Sequence, residues 1–363
     1  MSSDVNQPSR RTLLRTGAGL GAAALSAVVL AACATGPAGG TASNSAPAQS
    51  SSASASFPVT IKHVYGETTI KAQPQRVATV AWVNDDVAIA LGVVPVGVPK
   101  VEWGGNDKGS TPWKDAALEK LGASFGTAKA PAMYSEADGI NFTELAKTNP
   151  DVILAAYSGL SKEDYEKLSK IAPVVAYPEL AWGTPWETAT TMIGKALGKE
   201  TEANELVKNV EQQIKDKAAA HPAIAGKSFI YGNLEPAKGD GVNVYTANDN
   251  RPRFLSAIGM TLAPVVADKS KGSKEFFLPW SAEKANELAS DVFVTWVPDA
   301  KTTDAIKKDP LLGQIPAIKK GAFVAFEDKT VTLATSAASP LSLPWALDTT
   351  LDQIAAAAEK AGK

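Results

Sequence analysis

One cysteine, Cys33, and two histidines, His63 and His221, are all that this chain of 363 residues holds of the side chains that most often carry redox, nucleophilic and metal chemistry. A single cysteine excludes a disulfide within the chain. Nucleophilic hydrolysis wants a histidine beside a serine or cysteine, but His63 sits in a strand-like lead-in and His221 precedes a helix-ending proline, so both read as structural. A directly bound zinc or manganese ion needs a cluster of His, Asp and Glu, which two distant histidines do not supply. Arginine is scarce too, and a net charge of −2 lacks the basic footprint of a nucleic-acid partner. Past residue 32 no run is long and apolar enough to cross a membrane. These absences argue against an enzyme, a redox protein and a nucleic-acid binder; a passive surface or adhesion protein stays open.

The N-terminus reads in three steps. Ser9-Arg10-Arg11-Thr12-Leu13-Leu14-Arg15 sets a twin arginine ahead of an uncharged run from Thr16 to Ala32. That run is too short and small-residued for a permanent span and fits the core of a signal peptide, with the twin arginine as the address of the Tat export route. It ends in Leu30-Ala31-Ala32-Cys33, which resembles the lipobox of bacterial lipoproteins, where the cysteine is acylated and becomes the first mature residue. From Ala34 to Ser56 there is neither a charge nor a large apolar side chain. Such a stretch cannot bury enough surface to fold and serves as a tether. The expectation is a signal peptide over 1–32 and a lipidated tether over 33–57, with the body anchored at the extracytoplasmic face of the cell membrane.

Beyond the tether the pattern alternates between strand and helix, which predicts parallel sheets covered by helices. Val77 to Trp82 reads as a buried strand, and Asn84 is placed to cap a helix that stops at Leu91-Gly92. A strand follows at Val94 to Val98, and the capping-box pattern Asn141-Phe142-Thr143-Glu144 opens a helix ended by Pro150. Asp151 to Ala156 reads as a buried strand, Ser161 opens the next helix, and Val174 to Tyr177 is a strand again. Residues 185–222 differ: helix-forming throughout, broken at Leu197-Gly198, with Ala203, Leu206, Val207, Val210 and Ile214 at helical spacing. The alternation then resumes, with strands at Ser228 to Tyr231 and Asp291 to Trp296. Glu144 to Leu154 and Glu287 to Val294 share one design, a helix end turning at an aspartate into a buried strand. Two related lobes, 58–184 and 223–363, flank a helical connector.

This layout is similar to the substrate-binding proteins of ABC importers for iron-siderophores, haem and cobalamin. The residues that carry the resemblance are Pro74-Gln75-Arg76-Val77, the run Asp86 to Val98, Asn141 to Leu154 and Trp280-Ser281-Ala282-Glu283 to Val294. The resemblance implies an α/β fold of two Rossmann-like lobes with central parallel sheets joined by a single long α-helix, the class III arrangement of periplasmic binding proteins. It implies a monomer that captures a ferric siderophore between its lobes and delivers it to a permease dimer with its ATPase. It implies no cofactor and no metal ligand of the protein's own, because the siderophore already holds the iron. Haem or cobalamin is the alternative cargo of the same importer type, with a tyrosine or His63 as a haem ligand. In relatives an acidic residue on each lobe pairs with permease arginines. Glu163 and Glu283, each just inside a helix start, match those positions, although dipole complementation worth about 0.3–1 kcal/mol explains acids there equally well.

A receptor for so bulky a chelate needs aromatic walls and a few cationic donors. Large aromatics stand where strands or loops reach the lobe interface: Trp82, Trp103, Tyr134, Tyr157, Trp182, Tyr231, Tyr245 and Trp280, with Trp113 as a further candidate. Trp82 and Tyr157 fit best, each following a parallel strand. Arg76 belongs to a strand entry, but Arg251 and Arg253 share a polar loop leading into a helix, where planar bidentate contact with a chelate's oxygens is available. The competing role for that pair is a salt bridge to Asp249.

Overall fold

The computed structural model describes residues 56–362 apart from 235 and 237–241. The twin arginine, Cys33 and nearly all of the tether lie outside the described residues. Among the described residues thirteen strands form a hairpin and two sheets. The hairpin, β1 (Val59–His63) and β2 (Gly66–Ile70), is tied to the first sheet by Thr68, whose hydroxyl donates to Val174 O at 2.7 Å.

The first sheet contains β3 (Val77–Thr79), β4 (Gly97–Pro99), β5 (Ala132–Tyr134), β6 (Val152–Ala155) and β7 (Val174–Ala176), all parallel in the spatial order β5-β4-β3-β6-β7. Its central strands are apolar on both faces because helices cover both; Val152, Ile153, Leu154 and Ala155 are wholly buried. The second sheet contains β8 (Ser228–Leu234), β9 (Val242–Tyr245), β10 (Thr261–Leu262), β11 (Phe277–Trp280), β12 (Val292–Trp296) and β13 (Phe323–Phe326). Here β8 has three partners. Its first half pairs in parallel with β10 and β12, and its second half pairs antiparallel with β9, which in turn carries β11. The second lobe is therefore parallel at its centre and antiparallel along one edge.

The break at Leu197-Gly198 divides the helical stretch into Trp186–Ala196 and Glu200–Ala219. A Cβ on Gly194 would lie 2.2 Å from the Cβ of Ala203, so glycine lets the two helices touch. The first packs on the first lobe; the second crosses to the second, burying Ala203, Val210 and Ile214. The structure adds a second crossing. The C-terminal helix Ser342–Ala361 starts against the first lobe, where Trp345 meets Trp113 with ring centroids 5.2 Å apart, and continues along the second sheet. One apolar core consequently runs through both lobes, from Val87 and Leu154 through Ile214 and Leu347 to Phe229 and Val292. Among the described residues no helix is long and apolar enough to cross a membrane.

Candidate functional site

In each sheet the first strand has later strands on both sides, so the order reverses next to it: between β3 and β6 in the first lobe, between β8 and β12 in the second. The carboxyl ends of strands at such a reversal leave a crevice between diverging loops, the usual place for a ligand in an α/β sheet. The two crevices face one another. Together they enclose a cavity of about 400 Å³ lined by Trp82 and Tyr157 after β3 and β6, and by Tyr231, Gly232, Asn233 and Trp296 from β8 and β12.

Asn84 builds the first-lobe half. The sequence casts it as a helix cap, but Val83 takes the cap position without a side-chain hydrogen bond. Wholly buried, the Asn84 amide instead donates to Val80 O, Trp82 O and Tyr157 O, and accepts from Tyr157 N. Both strand-end loops thus hang from one side chain. The Trp82 loop is also strained: Ala81 and Val83 have φ of 59° and 60°, and Trp182, whose ring packs tilted against Trp82 at 5.6 Å and edge-to-face with Tyr157 at 5.7 Å, has φ of 59°. Left-handed non-glycine residues cost of order 1–2 kcal/mol each and persist only where surroundings enforce them. Trp82, Trp103 and Trp182 are 46%, 38% and 38% exposed. Three half-exposed indoles on one cavity mark a surface made to be covered by something else.

The second-lobe half carries the polar groups. Asp249 caps the helix Asn250–Ala257 by accepting from Arg251 N, and its carboxylate also accepts from Arg251 Nε at 2.7 Å and Nη2 at 2.6 Å. The guanidinium lies 3.5 Å above the Tyr245 ring. Burial works against the arginine's charge, but Asp249 outweighs it and holds the guanidinium above its ordinary pKa. Burial raises the Tyr157 and Tyr231 hydroxyls far above the usual range, so both remain neutral. Across the mouth, Trp103 of the first lobe meets Trp296 of the second at 5.5 Å.

Of the residues singled out in the sequence, Trp82, Trp103, Tyr157, Trp182, Tyr231, Tyr245 and Arg251 converge on this cavity. Three do not. Tyr134 is on an edge strand and turns into the outer core of the first lobe, its hydroxyl donating to Thr79 O. Trp280 belongs to the antiparallel edge strand β11 and packs in the outer core of the second lobe, donating to Lys284 O at 3.0 Å. Arg253 is two residues from Arg251 on a helix, a spacing that turns side chains apart. It donates to Gly183 O at 3.0 Å and Ala247 O at 3.1 Å, a brace between lobes. Trp113 donates to buried Asp86 at 2.7 Å, away from the cavity. The salt bridge weighed against ligand contact for Arg251 is present, and the residue lines the cavity nonetheless.

Sequence reasoning missed Trp296, Phe276, Asn233, Asp249, Thr332 and Ser336. Trp296 had the same signal as Trp82, an aromatic closing a buried parallel strand; Phe276 stands in a loop just before the edge strand β11, and the others are polar groups on β8, a helix cap and a later helix, with no such signature. Histidine chemistry is absent from the cavity. His63 is buried with both ring nitrogens engaged, Nδ1 by Tyr65 N and Nε2 by Thr68 Oγ1, and burial lowers its pKa. Gly122-Ala123-Ser124-Phe125-Gly126 spells G-x-S-x-G but lies in turns after the helix Pro112–Lys120, not in the strand-to-helix elbow that exposes a serine nucleophile. Among the described residues no group of three or more His, Cys, Asp or Glu is placed to hold a metal ion.

Two α/β lobes whose strand ends close on one aromatic cavity, bridged by long helices, define a solute-binding protein of the class III type. The chain belongs to the periplasmic binding protein family, whose model matches residues 77–330. It is similar to the crystal structure of Streptococcus pneumoniae PiaA in complex with ferrichrome, at 37% identity and a TM-score of 0.77 over 83% of this chain and 99% of that one. It is also similar to the Fe(3+)-citrate-binding protein YfmC of Bacillus subtilis, 26% identical over 264 residues, which covers 70% of this chain and 74% of the relative. The ferric enterobactin-binding periplasmic protein FepB of Escherichia coli is 24% identical over 297 residues, covering 77% of this chain and 87% of the relative.

Proposed function

We propose that this protein captures a ferric siderophore in the cavity between its lobes and delivers it to the permease of an ABC importer. The observation that carries the reading is a cavity walled by aromatic rings, with one guanidinium and, among the described residues, no cluster of metal ligands. Iron bound there has to arrive already coordinated. Relatives named for ferric citrate, ferric enterobactin and ferrichrome support the same cargo class. The receptor acts as a monomer, held at the membrane by lipid on Cys33 and a tether that keeps it near its permease at high effective concentration.

Delivery rests on Glu163 and Glu283. Both are exposed near helix starts on different lobes; Glu163 also pairs with Lys167 at 2.8 Å within its own helix, a contact that a permease arginine displaces at little cost. Titration of tryptophan fluorescence with ferric hydroxamates, catecholates and citrate, and with haem and cobalamin, tests the reading. Saturable quenching by a ferric siderophore is expected. No quenching by any of them removes the receptor function, and a response to haem or cobalamin alone reassigns the cargo. The double variant Glu163→Ala, Glu283→Ala is expected to abolish uptake at unchanged ligand affinity; normal uptake refutes the docking assignment.

A further inference from the structure

The cavity's electrostatics narrow the cargo, an inference that rests on the siderophore reading above. Asp249 and Arg251 are the charged side chains among the described residues that line the cavity, and they are paired to each other through two hydrogen bonds of 2.7 and 2.6 Å. Their side chains are 9% and 17% exposed. Water therefore screens the pair weakly, and the carboxylate cancels the field the guanidinium would otherwise present to an entering anion. Arg253 does not replace it: its guanidinium is turned away from the cavity to donate to Gly183 O and Ala247 O, and its charge is opposed by Asp249 and Glu187. Among the described residues the cavity lining thus offers an incoming chelate no net positive charge.

What it offers is hydrogen-bond donors and ring faces. Arg251 Nη1 makes no hydrogen bond among the described residues. It is satisfied by a neutral or weakly charged oxygen acceptor, while Trp82, Trp182 and Tyr157 cover a carbon-rich surface. Ferric iron held by three monoanionic hydroxamates is uncharged overall and displays such oxygens. Held by three catecholates it is a trianion, whose burial beside the Asp249 carboxylate goes uncompensated.

We infer that Asp249 is a specificity-determining residue that neutralises Arg251 and so makes the cavity select an uncharged ferric tris-hydroxamate over anionic ferric chelates. Because Asp249 Oδ1 also caps a helix by accepting from Arg251 N, Asn is the informative replacement: its amide oxygen keeps the cap and the bond from Nε, while the charge and the bond from Nη2 are lost.

The test measures Kd of the purified full chain, wild type and Asp249→Asn, for ferrichrome, ferric enterobactin and ferric citrate by fluorescence quenching at low and high salt. Wild type is expected to bind ferrichrome at least a hundredfold tighter than either anionic chelate. In Asp249→Asn that ratio is expected to shrink at least tenfold, mainly through tighter binding of the anions, and more so at low salt. Equal or tighter binding of an anionic chelate by wild type overturns the inference and leaves the receptor reading standing. An unchanged ratio in a variant of wild-type melting temperature overturns the role of Asp249. Failure of all three chelates to bind removes the receptor reading itself.

Discussion

Asn84 holds Tyr157 by both of its backbone groups, donating to Tyr157 O at 2.9 Å and accepting from Tyr157 N at 3.0 Å. The same amide reaches Trp82 O and Val80 O, so the two loops at the first-lobe strand reversal are fixed as one unit. Asn84→Ala leaves several buried backbone groups unpaired, each costing about 1–3 kcal/mol. The expected loss is about 3 kcal/mol of stability by urea unfolding, together with a ligand affinity at least tenfold weaker. A loss below about 0.5 kcal/mol, the level of ordinary surface changes, contradicts the clamp.

Trp103 and Trp296 meet across the mouth of the cavity from different lobes, with interplanar angle 69°. Such edge-to-face pairs contribute about 0.5–1.5 kcal/mol beyond area burial. Trp296→Leu removes the pair, one wall and the unpartnered Nε1 donor together. Siderophore affinity is expected to fall at least tenfold and the quenching amplitude to drop, with the melting temperature little changed. Unaltered affinity places the ligand away from β12.

Legibility in the sequence followed the physics of each feature. Buried parallel strands advertise themselves as apolar runs, so β3, β6 and β12 and the helix Glu200–Ala219 are readable within a few residues. Trp82 and Tyr157 are readable because they close such runs. The antiparallel edge of the second sheet is not, since β9 and β11 carry exposed Asn243 and Pro279 instead of an unbroken buried run and pair only through tertiary geometry; that is why Trp280 looked like a cavity residue. Arg251 and Arg253 cannot be told apart from composition, because only the start of the helix at Asp249 decides which one faces the cavity. The second crossing by Ser342–Ala361 is hidden for a similar reason: the helix is legible, its partners are not.

Glu136 supports the strained loop from below, with Oε2 accepting from Ala81 N at 2.9 Å and Oε1 buried without a hydrogen bond. Burial pushes its pKa up to about 7. The folded state thus holds a proton that the unfolded chain releases near pH 4.5, so this group makes stability fall as pH rises from about 4.5 to 7. Asp86, raised to about 6 by burial, acts in the same direction at lower pH. Glu136→Gln is uncharged throughout. It is expected to melt higher than wild type at pH 8, match it at pH 5, and show a flatter profile between them; parallel profiles for the two proteins contradict the assignment.

Both long helices resist a wide hinge, and side chains reinforce them: Ser339 Oγ donates to Asp86 Oδ2 at 2.8 Å, and Arg253 Nη1 to Gly183 O at 3.0 Å. The lobes also approach closely at Gly104, φ 72°, where a Cβ would stand 2.8 Å from Lys329 O and 3.0 Å from the Leu333 Cβ. Only glycine fits a left-handed backbone against that helix without a shift. A cavity held in this way binds as a largely preformed site. Small-angle scattering of wild type with and without ferric siderophore is expected to differ by less than about 1 Å in radius of gyration, the scale of pre-organised complexes. Gly104→Val forces the lobes apart: a larger unliganded radius, a lower melting temperature and an affinity reduced at least tenfold are expected. A wide closure in wild type, or a Gly104→Val protein indistinguishable from it, refutes the preformed cleft.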